Sequence, residues 1–457
     1  MELKHALKQR ALDIGFDLVG IASATPDRDL EFAREWIERG YGGEIRYLAN
    51  PKRFDPRTVL PSVQSVICVG LIYDTEFPYS AEVGRGLESE VRSQESEEVE
   101  GRASIPWSAP SGRGRTRRPA WAGEGEAPHA WISRYAWGRD YHETMRKKLE
   151  RLRAVIAELA PGAETRVYVD TGPVVERAFA RFSGLGWMGK NTCVINEEKG
   201  SWFFLGVILT NLQLDPDLPA PDRCGTCRAC LDACPTGALV EPYVMDASRC
   251  ISYLTIEVKG AIPREHRPDI GVNVFGCDIC QDVCPWNSKG RFQVSGARCQ
   301  EKSFLPLTVD IKKLEAGNWK LETGSSNPEN RNSELGGDQP SAVSRQPSSD
   351  DGVSSIQDPK SQIQNPPETR HPTPDTYSLF APPLEALASL TGDDFRKLFA
   401  HSPIKRAKYR GWLRNLCVAM GNSGDPRFLP KLQELAEHAD PIVREHAQWA
   451  LERLRQA

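Results

Sequence analysis

The sequence predicts a multidomain α+β protein: an α/β domain at the N-terminus, a small cysteine-built domain in the middle and an all-α domain at the C-terminus. Three observations carry that expectation. Helix-type and strand-type periodicities alternate from Leu3 to Thr210. Eight of the 12 cysteines fall between Cys224 and Cys284. From residue 375 onward the patterns are helical only, with Asp425-Pro426 and Asp440-Pro441 as start signals. A chain of 457 residues suggests about two to four domains.

Taking the elements in order, Leu3, Ala6, Leu7 and Ala11 follow helical spacing. Asp17 to Ala22 and Val63 to Tyr73 are apolar runs that read as strands. Residues 82–128 are dominated by Glu, Ser, Arg and Gly without periodicity, so a disordered surface insertion is expected there. Met145, Leu149, Leu152, Ile156 and Leu159 form one apolar stripe, which predicts a helix from Asp140 to Leu159. Thr165 to Asp170 reads as a buried strand stopped by Thr171-Gly172-Pro173, and Trp202 to Thr210 as another. The first domain then covers residues 1–212.

The cysteine domain follows over residues 213–320. Residues 321–374 are rich in Ser, Asn, Gln, Pro and Asp and cannot bury a core, so they read as a disordered linker. The last domain covers residues 375–457. Each of its Asp-Pro pairs supplies an N-cap followed by proline at the first helical position. The two starts lie 15 residues apart. That fits short antiparallel helices in a HEAT-like repeat pair, and equally an ordinary helical subdomain.

Charge and hydropathy exclude some classes. A formal net charge of −4 gives no global positive field, so any nucleic-acid face must be local. No apolar run is long enough to span a membrane. The charged, amphipathic N-terminus lacks the apolar core of a signal peptide. The cytoplasm is the expected compartment. Structural disulfides are rare there, and dense cysteine points to metal.

The cysteine spacing is specific. Cys224-x2-Cys227-x2-Cys230-x3-Cys234-Pro235 is a bacterial ferredoxin run. A cubane needs four thiolates converging on its corners. A tight loop supplies three, and the fourth cysteine of the run reaches the neighbouring cluster. Cys277-x2-Cys280-x3-Cys284-Pro285 is a second run, with Val274 where its first cysteine would stand. Cys250 is the best replacement. Crossed ligation assigns Cys224, Cys227, Cys230 and Cys284 to one [4Fe–4S] cluster, and Cys234, Cys250, Cys277 and Cys280 to the other. Zinc favours two separated ligand pairs, often with histidine, and fits this spacing less well. Cys68, Cys193, Cys299 and Cys417 remain as structural or free thiols. A two-[4Fe–4S] ferredoxin-like domain moves electrons singly, so the rest of the chain is expected to hold what receives them.

Further motifs carry a resemblance. Val169-Asp170-Thr171-Gly172-Pro173, continuing to Gly184-Leu185-Gly186-Trp187-Met188-Gly189-Lys190-Asn191, resembles the signature region of the epoxyqueuosine reductase family. The stretches Asn50-Pro51 to Asp55-Pro56-Arg57, Arg134 to His142, and Ser402-Pro403-Ile404 to Met420-Gly421-Asn422 are similar to that family, as is the displaced Cys250. The resemblance covers nearly the whole chain apart from the insertion and the linker. It implies an N-terminal α/β domain that binds cobalamin, clusters that feed electrons to cobalt, and a HEAT-like domain that holds a tRNA anticodon stem-loop. The implied reaction converts epoxyqueuosine at the wobble position to queuosine. The implied electron donor is a flavodoxin or ferredoxin, and the protein is expected to be a monomer without a membrane partner.

The same resemblance implies site residues. Asp170 becomes the general acid for the departing oxygen, where position alone would also allow a turn cap. Gly186 and Gly189 permit close approach of a large ligand, and Lys190 could meet the phosphate of its nucleotide tail. Arg53, Tyr135 and Ser252 are further cofactor candidates. Asp140-x-His142 invites comparison with the DxHxxG cobalamin motif, but Met145 stands where glycine should be. His142 is therefore read as a helix-start residue rather than a cobalt ligand. Lys405, Arg406, Lys408, Arg410 and Arg414, interleaved with Tyr409 and Trp412, suit phosphate contact and base stacking on RNA. A solvated helix face is the alternative. The competing reading of the whole chain is a corrinoid iron–sulfur reductase acting on a small molecule, as in reductive dehalogenases.

Overall fold

The structure is a computed structural model that describes residues 2–25, 28–75, 77, 80, 128–287, 299–310, 322–323 and 376–456. The expected insertion, Pro128 apart, and the expected linker, residues 322–323 apart, lie outside the described residues.

Helix α1 (Glu2–Asp13) leads into β1 (Leu18–Ser23), and α2 (Arg28–Glu38) with three short 3-10 turns leads to β2 (Ser65–Ile72). Helix α3 (Tyr141–Leu159), β3 (Thr165–Tyr168), α4 (Glu176–Phe182) and β4 (Phe203–Thr210) follow. Helices α1 and α3 and the four strands coincide with expected elements to within a few residues, whereas α2 and α4 were not anticipated. The four strands form one sheet in the order β1-β2-β4-β3. Every neighbouring pair is antiparallel, with Ser65 opposite Thr210 and Leu18 opposite Gly70. The alternation of helix and strand had suggested α/β. The antiparallel pairing makes this an α+β domain instead, because periodicity does not encode strand direction.

Alternation across the pleat explains the layers. On β2, Ile67, Val69 and Leu71 join a core with α1 and α3, including Leu7, Leu149 and Leu152. Val66, Cys68 and Ile72 join a second core with α4, including Ala178 and Phe179. All eight residues of β2 are buried, as expected for a strand covered on both faces.

Among the described residues, the helices of the cysteine segment are short: α5 (Ala229–Ala233), α6 (Ile251–Ile256), α7 (Arg267–Ile270) and α8 (Ile279–Asp282). The C-terminal region is helical: α9 (Leu384–Ser389), α10 (Gly392–Leu398), a 3-10 turn at Pro403–Ala407, α11 (Lys408–Ser423), α12 (Leu429–Ala436) and α13 (Pro441–Gln456). Asp425 and Asp440 accept hydrogen bonds from the Arg427 and Ile442 amides, as N-caps do. These helices share one core with α6, Val274, Phe275 and the Trp131–Trp137 segment.

That shared core corrects one expectation. Arg414, expected on an RNA surface, is 1% exposed. Its guanidinium donates to the carbonyls of Leu254, Val258 and Gly260 at 2.7–2.8 Å. It closes the carbonyl end of α6, where a helix leaves acceptors unpaired. The turn spacing that put Arg414 among basic residues also put it on the buried side of α11. Replacing Arg414 by alanine strands those carbonyls and is expected to cost about 3 kcal/mol or more in chemical denaturation. A loss below about 0.5 kcal/mol, the size of a surface substitution, would contradict the capping role.

Candidate active site and cluster segment

Asp170 sits just beyond β3, after buried Val169, with φ of 53°. Aspartate tolerates this left-handed region better than most side chains. The turn aims the carboxylate at the N-terminus of α3. Asp140 caps that helix by accepting from the His142 amide at 3.2 Å. Tyr141, at the first position of the helix, donates its hydroxyl to Asp170 Oδ2 at 3.1 Å and stacks on Phe204 of β4 at 4.1 Å. His142 bridges two carboxylates: Nδ1 lies 2.7 Å from Asp140 Oδ1, and Nε2 lies 3.5 Å from Asp170 Oδ2. Glu176, at the start of α4, accepts the Asp170 amide at 2.7 Å.

Two arginines close the other side. Arg53, from the 3-10 turn Pro51–Phe54, is buried and donates to the Gly172 carbonyl. Arg406 reaches in from the C-terminal region, 3.9 Å from Asp170 Oδ2 and 2.7 Å from Glu257 Oε1. Tyr47 lies between them, with guanidinium carbons 5.7 and 5.8 Å from its ring centre. Tyr135 meets Tyr141 edge-on at 6.2 Å. A separate cavity of about 350 Å³, beside Leu30, Phe179 and Pro216, includes none of these side chains.

The electrostatics divide the protons unevenly. Burial pushes Glu176 up to about 8, and the charge on Asp170 adds to it. Burial works the same way on Asp170, but the adjacent His142, then Tyr141 and Arg406, outweigh it and hold this carboxyl below its ordinary value. Burial would lower His142; the hydrogen bond to Asp140 and the nearby Asp140 and Asp170 carboxylates overcome that and raise it to about 9. At neutral pH the site therefore holds Asp170 as a carboxylate, Glu176 as a neutral acid and His142 as an imidazolium. The Asp170 side chain stays 41% exposed, so it opens onto the cleft.

The eight block cysteines fall into two neighbourhoods. Burial raises Cys284 to about 12, with Cys230 and Cys224 close enough to add to the shift. Burial likewise raises Cys230 to about 11, with contributions from Cys227 and Cys224. The Cys277 and Cys280 thiols are raised by burial and then feel Cys250 and Cys234. Cys193 also lies near the second set. Among the described residues, no three His, Cys, Asp or Glu side chains converge as a single ion requires. A cubane holds its thiolates farther apart, because iron and sulfide lie between them.

The remaining expected residues fall in different places. Lys190 donates to the carbonyls of Gly225 and Cys227 at 2.6 and 2.9 Å. It braces the cysteine loop through these two bonds. A Cβ at 186 would lie 2.2 Å from the Ile195 carbonyl, so packing alone requires glycine there; at 189 it would meet the ends of the Ile195 and Asn191 side chains at 2.5 and 2.7 Å. Ser252 and Tyr253 turn their amides toward the Cys250 sulfur. Lys405 pairs with Asp140 at 2.8 Å, Arg410 donates to the Lys259 carbonyl at 2.8 Å, and Lys408 is exposed. Tyr47, Tyr141, Glu176 and Glu257 were missed. Only Tyr141 lay inside a motif that had drawn attention.

Comparisons with known proteins agree with this picture. A family model described as epoxyqueuosine reductase QueG, DUF1730, matches residues 113–171, and one described as a 4Fe-4S double cluster binding domain matches residues 223–287. The chain is 35% identical to the epoxyqueuosine reductase of Pseudomonas aeruginosa over 99% of this chain and 94% of that protein. It is 30% identical to that of Escherichia coli, over 98% and 89%. A crystal structure of epoxyqueuosine reductase with an epoxyqueuosine-modified tRNA-Tyr stem loop has a TM-score of 0.66 at 25% identity, covering 99% of this chain and 90% of that one. The structure from Streptococcus thermophilus has a TM-score of 0.64 at 25% identity, with 100% and 91% covered. The fold is α+β with a 4Fe-4S double-cluster domain and a helical C-terminal region, and no described helix is long and apolar enough to cross a membrane. Full-length likeness to relatives of one activity leaves a single conclusion: this chain is an oxidoreductase belonging to the epoxyqueuosine reductase family.

Proposed function

We propose that this chain reduces epoxyqueuosine to queuosine at the wobble position of tRNA, the final step of queuosine biosynthesis, in the cleft around Asp170. The observation that carries the reading is the convergence on Asp170 of Tyr141, His142, Glu176 and Arg406, beside the second cysteine set. Tyr135 links the two: it meets Tyr141 on one side and Phe275 on the other, two residues before Cys277.

Turning an epoxide into an alkene consumes two electrons and two protons and releases water. Cys224, Cys227, Cys230 and Cys284 are the proposed ligands of one cluster, and Cys234, Cys250, Cys277 and Cys280 those of the other. Such clusters pass electrons one at a time. Cobalamin is the proposed acceptor, and its cobalt would supply a centre able to gather both electrons. The cleft suits a broad, flat group: Tyr47, Tyr135 and Tyr141 offer rings, Arg53 a buried cation, and Ser252 the edge nearest Cys250. The departing oxygen needs a proton, and Asp170 is the acid we assign to deliver it.

The partner is a tRNA stem-loop, as in the homologous complex. Lys405, Arg406, Lys408 and Arg410 are the proposed phosphate contacts, with the C-terminal helices acting as a HEAT-like support. Lys405 and Arg406 already serve Asp140 and Glu257, so an RNA would share these cations. The test is anaerobic incubation with a reductant and epoxyqueuosine-bearing tRNA, with and without cobalamin. The nucleosides are then weighed by mass spectrometry. Loss of one oxygen only when cobalamin is present supports the reading. Equal conversion without it removes the cofactor, and conversion of halogenated aromatics but not of tRNA transfers the cleft to small-molecule chemistry.

A further inference from the structure

We propose that His142 is the proton reservoir behind Asp170: its Nε2 proton passes to Asp170 Oδ2 as Asp170 protonates the departing oxygen, while Asp140 holds the ring through Nδ1. The inference rests on the reading of Asp170 as the acid.

The geometry is directional. Asp140 grips His142 twice, through its amide at 3.2 Å and Nδ1 at 2.7 Å, and Lys405 fixes the other Asp140 oxygen at 2.8 Å. The imidazole also stacks on Tyr141 at 4.1 Å, which leaves the ring little freedom to turn. Its Nε2 is buried without a hydrogen-bond partner. The nearest acceptor recorded for that atom is Asp170 Oδ2, at 3.5 Å. A buried polar atom left unpaired is costly, so a ring held in this position needs a reason. A short approach of Asp170 as substrate binds would complete the bond, as catalytic contacts often tighten only in the complex.

The proton inventory agrees. Asp170 is a carboxylate at rest, while His142 carries a proton up to about 9. A carboxylate that must act as an acid needs a proton source within reach once a bulky nucleotide covers its exposed side. One proton leaves Nε2, one reaches the departing oxygen, and His142 ends neutral, keeping its Nδ1 proton, which it donates in a hydrogen bond to Asp140. Asp170 recovers a proton from water after product leaves and returns it to Nε2. No electron moves in this relay. Asp140 and Tyr141 on its own helix, Asp170 beyond β3 and Glu176 on α4 act on His142 directly, Lys405 and Arg406 reach it through Asp140 and Asp170, and Glu143 and His401 pair with each other at 3.5 Å. Glu176 is the main rival source, because burial keeps it protonated up to about 8, whereas Tyr141, which also donates to Asp170, is made a weaker acid by burial.

The experiment is the pH dependence of the single-turnover rate for the wild-type protein, His142→Gln, Glu176→Gln, Asp140→Asn and Asp170→Asn, each checked for iron content and tRNA binding. The wild-type rate is expected to fall as pH rises through about 9, where the reservoir empties. His142→Gln should be about 10–100-fold slower near neutrality and lose that limb. Glu176→Gln should keep it. Asp140→Asn should move it to lower pH, since Asp140 is what raises the ring. An unchanged limb in His142→Gln, or its loss in Glu176→Gln alone, overturns the relay. If His142→Gln loses its iron or its tRNA affinity, Asp140→Asn decides, and an unmoved limb there is the overturning result. Full activity in Asp170→Asn is a separate failure, that of the acid assignment itself.

Discussion

Replacing Asp170 by asparagine is expected to slow conversion by about 10²–10⁴-fold, the usual worth of a positioned general acid. The substitution keeps the volume and the acceptor for Tyr141 and removes the negative charge, and with it the ability to carry a proton. Tyr141 and Glu176 hold the turn from two sides, at 3.1 and 2.7 Å, so the backbone should not move. Iron content and tRNA affinity should therefore match the parent protein while the rate collapses. A rate within about threefold of the parent would assign Asp170 to shape rather than chemistry.

The second large effect is on the clusters. Cys227 is the exposed member of the first set, on a loop that Lys190 pins through the Gly225 and Cys227 carbonyls. Cys227→Ala should lower iron from about eight atoms per chain to about four, because a cubane deprived of one thiolate is lost while its neighbour keeps all of its own. Conversion should stop with it, since the path for electrons is cut. Retention of about eight irons would break the ligand assignment. Cys250→Ala should remove the other cluster, and this variant tests the displaced ligand.

Much of this was readable because it is local. The cysteine spacing, the stripe of α3 and the caps at Asp425 and Asp440 involve residues within a turn or two of one another, and local sequence encodes such patterns directly. The Asp170 turn could be read for the same reason. What escaped is what joins distant segments. Lys405 finds Asp140 across more than half the chain, and Arg406 reaches Glu257 and Asp170. A basic run looks alike whether it faces phosphate or buried carboxylates. Arg414 shows the far limit, a guanidinium spent wholly on the carbonyls at the end of α6. His142 was noticed for a motif it does not complete, and its position between two carboxylates could not be read from its neighbours. Strand direction was lost too, which is why an antiparallel sheet was taken for α/β.

The central claim is that the cysteine segment and the Asp170 cleft act as one reductase on tRNA. The most direct measurement starts from protein with filled clusters and bound cobalamin, reduced and then freed of excess reductant. Epoxyqueuosine-bearing tRNA is added without air, and cluster absorbance is followed while the nucleosides are weighed. The expected result is reoxidation of the clusters in step with the loss of one oxygen from the nucleoside, and neither change with unmodified tRNA. Queuosine formed while the clusters stay reduced, or clusters reoxidised with the epoxide intact, would contradict it.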